Sequence, residues 1–143
     1  MPPYKIPSRV KFRKEFRRTM RVNRNATVGN YVAYGDFGLQ ALESCWLKSN
    51  CIEAGRVAAQ HFLKREGKLF IRVFPDKPVS KKPLETRMGT GKADVDYWAA
   101  RIKAGTILFE ITGVTEDTAK RAFARVAMKM PVRCRFVARR VTV

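Results

Sequence analysis

The stretch NCIEAGRVAAQHFLKREGKLFIRVFP, residues 50–75, decides the reading of this chain because it changes period in the middle. Its first part has helical spacing: Ile52, Gly55, Ala59, Phe62 and Leu63 fall on one stripe over residues 50–66. Asn50 and Glu53 stand at capping-box spacing, and Gly67 suits a left-handed stop. From Lys68 to Phe74 the period becomes two. Leu69, Ile71 and Val73 point one way, while Phe70, Arg72 and Phe74 point the other. That is a strand with a core face and a second face carrying two aromatics around an arginine, ended by Pro75.

A second helix followed by a strand is expected at the C-terminal end, with no internal repeat. Residues 116–130 predict a second helix, capped by Thr115, with Val114 stapled to Ala119. Its apolar face is Ala119, Ala122, Phe123, Val126, Ala127 and Met130. Pro131 stops it, and residues 132–141 predict a strand with Val132, Cys134, Phe136 and Ala138 inward and Arg133, Arg135, Val137 and Arg139 outward. Earlier strands are expected at residues 30–34 and 39–42, around a turn at Gly35-Asp36-Phe37-Gly38. Residues 97–102 and 106–112 read as a strand pair joined by Lys103-Ala104-Gly105. Between these units, residues 75–95 are rich in proline and glycine and show almost no apolar period, so they read as a long loop. The expected fold is α+β, with two helices packed on one side of a mixed or antiparallel sheet. The expected organisation is an extended arm over residues 1–29 and a single domain over residues 30–143 that carries the loop.

Charge then narrows the function. Thirty Lys and Arg face twelve Asp and Glu, a formal net charge of +18 in 143 residues. The arm holds Lys5, Arg9, Lys11, Arg13, Lys14, Arg17, Arg18, Arg21 and Arg24 against Glu15 alone. Too few apolar residues accompany them to bury a face, so the arm reads as a segment that orders on a partner. Such a concentration of cations attracts a polyanion and binds phosphate through counterion release. The loop repeats the theme: Lys77, Lys81 and Lys82 stand between Pro75, Pro78 and Pro83, followed by Arg87-Met88-Gly89-Thr90-Gly91-Lys92. There Gly89 and Gly91 let backbone amides approach an anion, Arg87 and Lys92 supply charge, and Met88 supplies a flexible apolar contact. On the outward face of the sheet, Arg72, Arg133 and Arg135 are candidates to rest on phosphate. Arms, loops and arginine-faced strands fit a shaped RNA better than a duplex groove, and no helix-turn-helix, basic zipper or zinc finger is visible.

Enzyme motifs fail one by one. Gly89-Thr90-Gly91-Lys92 lacks the earlier glycine of a Walker loop, where Thr86 stands, and has Ala93 where magnesium needs a hydroxyl. His61 sits in a helix beside the apolar stripe with no nucleophile near it in sequence. Asp94 and Asp96 lack a third metal ligand at useful spacing. Cys45, Cys51 and Cys134 are odd in number with no C-x-x-C pair, so they read as core residues in a reducing cytosol. No apolar run is long enough to span a membrane, and the start reads neither as a secretory signal nor as a transit peptide. No cofactor, metal or small-molecule substrate is expected.

The chain also resembles a known family, the bacterial-type large-subunit ribosomal protein L-sixteen. The matching segments are Lys11-Phe12-Arg13-Lys14, Tyr34-Gly35-Asp36-Phe37-Gly38-Leu39-Gln40-Ala41-Leu42 and Ile52-Glu53-Ala54-Gly55-Arg56. The most specific are Ile71-Arg72-Val73-Phe74-Pro75-Asp76-Lys77-Pro78, the run from Lys82 through Arg87 to Lys92, and Tyr97-Trp98. It departs from the family pattern at Ala93 and across Glu15-Phe16-Arg17-Arg18-Thr19-Met20. The resemblance implies an α/β sandwich with a hammerhead-like β element and a structural, non-enzymatic role in the large ribosomal subunit, cytoplasmic or organellar. It implies binding of large-subunit ribosomal RNA near the A-site cleft through Lys11, Arg13, Lys14, Arg17, Arg18, Arg21, Arg24, Arg72, Arg133 and Arg135. It implies a tRNA-facing loop of Lys77, Lys81, Lys82, Arg87, Met88, Gly89, Gly91 and Lys92, with A-site tRNA and neighbouring ribosomal proteins as partners. A free RNA chaperone or assembly factor is the alternative. An RNA-modifying enzyme is a distant third, since it would need a cofactor pocket.

Overall fold

A computed structural model describes residues 6–17 and 24–140. The chain forms β1 (Phe37–Ala41), β2 (Cys45–Lys48), α1 (Ser49–Leu63), β3 (Lys68–Ile71), β4 (Lys77–Ser80), β5 (Val95–Ile102), β6 (Ile107–Thr112), α2 (Glu116–Ala127) and β7 (Cys134–Ala138). The α+β class holds. Every strand pair is antiparallel, and the strands divide between two sheets, β3-β6-β1-β7 and β2-β5-β4.

The division corrects the expected pairing of β5 with β6. The chain leaves β5 at Ile102 and enters the other sheet at Ile107. It turns through Gly105, whose φ of 93° suits a residue without a Cβ. The partner strands turn at the same corner. Gly105 donates its N–H to the Ala41 carbonyl, Ala41 donates to Thr106, and the Ala104 N–H reaches Ser44 Oγ. One antiparallel ribbon therefore bends from the first sheet into the second.

The core lies between the four-stranded sheet and the helices. Leu39, Ala41, Phe109 and Ile111 are buried against Ile52, Ala59, Leu63, Ala122, Phe123 and Val126. α1 touches β2, β3 and β5, whereas α2 lies on β1 and β7. The two helices approach closely at Gly55, where a Cβ would come within 3.0 Å of Phe109 and closer still to Met130. The face of β3 expected inward is so placed: Val73 is buried, and Leu69 and Ile71 pack on the core.

Local signals shift by a few residues. α1 starts after Lys48, whose side chain has no acceptor to cap it, and the Glu53 carboxylate is held by the Arg56 guanidinium. Its stop is Lys64 in the left-handed region, so Gly67 belongs to the turn beyond. α2 ends at Ala127, before the turn that leads to Pro131. Its leading residue Thr115 bonds through its hydroxyl to Thr118 rather than to a backbone amide. β3 and β7 are shorter than their alternating patterns. Val141 lies outside the described residues.

Two expectations need larger correction. Residues 30–34 form no strand: the N–H groups of Ala33 and Tyr34 are bound by the Glu110 carboxylate rather than by a neighbouring strand. Residues 75–95 are also not wholly loop, since β4 pairs with β5 from Lys77↔Ala99 to Ser80↔Val95. Pro78 hid that strand, and an edge position is where a sheet tolerates proline.

Candidate nucleic-acid interface

Antiparallel pairing of β4 and β5 makes residues 81–94 the connection of a long hairpin that runs off the end of the three-stranded sheet. Lys81 and Arg87 are exposed, and Leu84 and Met88 have almost no protein contact at 99% and 101% exposure. At the tip Gly89, Thr90 and Gly91 all have positive φ, at 108°, 62° and 78°. Nothing lies within 4 Å of a Cβ placed at either glycine. Packing therefore does not require the glycines; the backbone conformation does. Thr90, β-branched and left-handed, holds local strain of about 1 kcal/mol or more. Lys82 stiffens the loop by donating to the Gly89 carbonyl.

The arm lies along this hairpin. Lys14 donates to the Lys92 carbonyl at 3.0 Å and pairs with Asp94 at 3.4 Å. Lys92 returns the contact to the Glu15 carbonyl, its ammonium 5.8 Å from the Phe16 ring centroid. Arg17 stands 5.9 Å from the Trp46 ring, and Lys77 stands 5.1 Å from it. Arm and loop thus make one cationic ridge with Lys11, Arg13, Lys14, Arg17, Lys81, Arg87 and Lys92. Arg24 is exposed, and Arg18 and Arg21 lie outside the described residues.

Lys77 is not part of the ridge. It sits in β4 at 2% exposure and donates to the Phe16 carbonyl at 3.2 Å. The Glu15 carboxylate lies 3.9 Å from both Lys77 and Arg101. Burial of a lysine needs such partners, and the lone acid of the arm supplies one.

The expected arginine face of the larger sheet is divided. Arg133 is exposed, with a long 3.9 Å contact to Glu43. Arg135 is exposed but anchored by its Nε to Gln40 Oε1 at 2.8 Å. Arg72 is turned to a partner within the chain: its guanidinium bonds Glu110, whose side chain is fully buried. Three successive amides complete that carboxylate's shell, Ala33 at 3.2 Å, Tyr34 at 2.6 Å and Gly35 at 2.8 Å. Burial pushes the Glu110 carboxyl up, but the bonds from Gly35, Tyr34, Ala33 and Arg72 outweigh it and hold the group below its ordinary value. The anion that Arg72 meets is the protein's own. Residues 26–32 cover the same face: Ala26 and Val32 are buried, and Gly29 accepts the Ile107 N–H.

Among the described residues no group of three His, Cys, Asp or Glu could hold a metal ion. Burial pushes the Cys45 and Cys134 thiols up to about 11, with mutual repulsion among Cys45, Cys134 and Cys51 adding at Cys45. Both stay protonated near neutrality, the unreactive form. No helix among the described residues is long and apolar enough to cross a membrane.

Sequence reasoning passed over Glu110, Glu15 and Trp46. Glu110 carried one usable signal, a lone acid in the otherwise apolar run Ile107-Leu108-Phe109-Glu110-Ile111. An ionised group in a buried strand requires a dedicated shell.

The chain has documented relatives. A sequence profile described as ribosomal protein L16p/L10e matches residues 7–137. A protein of Rhodopirellula baltica, named large ribosomal subunit protein uL16, is 57% identical over 135 residues, covering 94% of this chain and 96% of that protein.

Proposed function

Because this chain belongs to the ribosomal protein L16p/L10e family, we propose that it is a structural, non-catalytic constituent of the large ribosomal subunit. It binds large-subunit ribosomal RNA near the A-site cleft and touches tRNA through residues 87–92. The ribosome of the cytoplasm is the location that goes with this reading, and the bacterial relative supports it. The observation that carries the RNA contact is the shared ridge, in which Lys14 and Lys92 bond across arm and loop. Two cationic segments far apart in sequence thereby present one surface to phosphate.

The labour divides by placement. The arm cations and Arg133 and Arg135 bind RNA backbone by charge, without base specificity. The hairpin tip extends past the sheet and carries Arg87 and Met88 outward, as a probe toward a second RNA would require. Arg72 and Lys77 serve by holding the scaffold on which these groups stand.

The test uses large particles lacking the chain, rebuilt with it. Joint replacement of Lys81, Lys82, Arg87 and Lys92 by alanine should leave the protein on the particle. It should weaken A-site tRNA binding by about tenfold or more, since hydrogen bonds to charged groups are worth roughly 1.5–3 kcal/mol each. Normal A-site occupancy would sink the loop assignment. Affinity of the free protein for ribosomal RNA should fall with salt at a log–log slope of about −0.7 to −0.9 per phosphate neutralised. A flat response would sink the electrostatic reading. Loss of the protein from large particles sedimented in high salt would favour the free chaperone instead.

A further inference from the structure

The outer face of the four-stranded sheet carries a stacked aromatic pair, Tyr34 and Phe70, that the arm–loop ridge does not use. Tyr34 is 65% exposed.

Tyr34 is held in place although it is exposed. Its N–H is bound by Glu110 Oε2 at 2.6 Å. Its ring stacks on Phe70 at a centroid distance of 5.8 Å and an interplanar angle of 30°. The Arg72 guanidinium lies 4.8 Å from the Tyr34 centroid and is itself fastened to Glu110. The Lys68 ammonium stands 5.1 Å over the Phe70 ring. Backbone and ring are both positioned before any partner arrives, so little conformational entropy remains to be lost on binding.

The geometry points to an unpaired RNA base as the occupant of the open Tyr34 surface, with the attached phosphate drawn to Lys68. A base offers a flat π-face to a fixed aromatic, and its backbone offers the negative charge that the flanking cation requires. A second copy of the chain is disfavoured by its net charge of +18, which opposes close approach of two such molecules. The inference rests on the RNA-binding reading and adds to it a contact on the other sheet from the hairpin tip. Arg72 is a positioning residue here.

The test compares the full chain with Tyr34→Phe and Tyr34→Leu, using protein-free large-subunit RNA and a short oligoadenylate carrying one fluorescent 2-aminopurine. The wild-type chain and Tyr34→Phe should quench the fluorophore. Tyr34→Leu should lose the quench and bind about 5- to 100-fold more weakly, the loss expected for one stacked base. Its salt slope should match wild type, because tyrosine neutralises no phosphate. Undiminished binding and quenching by Tyr34→Leu, with a steep slope in the wild type, would overturn the platform and leave RNA binding standing. No measurable binding of the wild-type chain to either RNA would reject RNA binding itself. If Tyr34→Leu instead abolished a self-association seen by sedimentation equilibrium, the ring would belong to a protein contact and the proposal would fall. Should that variant misfold by circular dichroism, ultraviolet cross-linking of the wild-type chain to the large-subunit RNA decides: an adduct at Tyr34 supports the platform, and adducts only elsewhere overturn it.

Discussion

Glu110 and Gly35 are fastened side by side: the carboxylate accepts the Gly35 N–H at 2.8 Å, and a Cβ on Gly35 would lie 2.7 Å from the carbonyl oxygen of Ile111, the next residue along β6. The strap over residues 33–35 can reach the buried carboxylate because the strap is thin at that point. This contact sets the position of Tyr34 and orients Arg72, so it links the interior of the sheet to its outer surface.

Replacing Glu110 by alanine strands three amides and one guanidinium in a covered site. Removal of one partner from a buried pair costs about 3–5 kcal/mol. Urea unfolding of Glu110→Ala should show a loss of that order. Arg72→Met should cost less, because the carboxylate keeps its three amides.

The same group sets an acid limit. Its carboxyl lies below the ordinary value in the folded chain, so the unfolded chain takes up the proton first as pH falls. The stabilisation is complete above the unfolded value of about 4.3 and is lost as pH falls through the lower folded value. Glu110→Gln should therefore have a flatter stability profile than wild type in that acid window, measured by denaturant midpoints across pH. Parallel profiles would count against it.

Gly35→Ala tests the close approach alone. The added methyl meets backbone rather than a flexible side-chain end, so the strap must lift. A loss of about 1–3 kcal/mol is expected, the usual range for overpacking. The Tyr34 and Phe70 ring signals should shift together in NMR spectra.

Contact between arm and hairpin makes order in one depend on the other. Lys92→Ala removes the donor to Glu15 and the cation beside Phe16. Backbone order parameters at residues 14–17 should fall toward the flexible range, below about 0.6, while β5 stays rigid. Unchanged values at residues 14–17 would show that Lys77 and Arg101 hold the arm without help from the loop.

The cysteines should be slow. With the Cys45 and Cys134 thiols pushed up to about 11, little thiolate is present near pH 8.5, where a free cysteine is half ionised. Alkylation of both should accelerate sharply on unfolding. Rates equal to those of a free thiol would contradict their burial.

Elements with a strong local period were legible from residue order: both helices, the inward face of β3 and that of β7 except for Ala138, which is exposed. Apolar spacing and charge are properties of neighbouring residues, so they survive without knowledge of the fold. β4 was hidden by Pro78, and the end of α1 was misplaced because Lys64, ahead of Gly67, takes the left-handed stop. The partition into two sheets was beyond local reading, since it depends on hydrogen bonds from Ala41 to Thr106 and from Gly105 to Ala41 across the corner. Arg72 reads as an outward cation in its strand, yet Glu110, 38 positions away, makes it an inner brace. Lys77 reads as a loop charge, yet Glu15, Phe16 and Trp46 enclose it. Residue order settled that the chain carries a concentrated positive charge on an α+β frame. Folding settled which cations stay exposed and which are paired within the chain, because an ion pair forms between groups that meet in space, and spacing along the chain does not record those meetings.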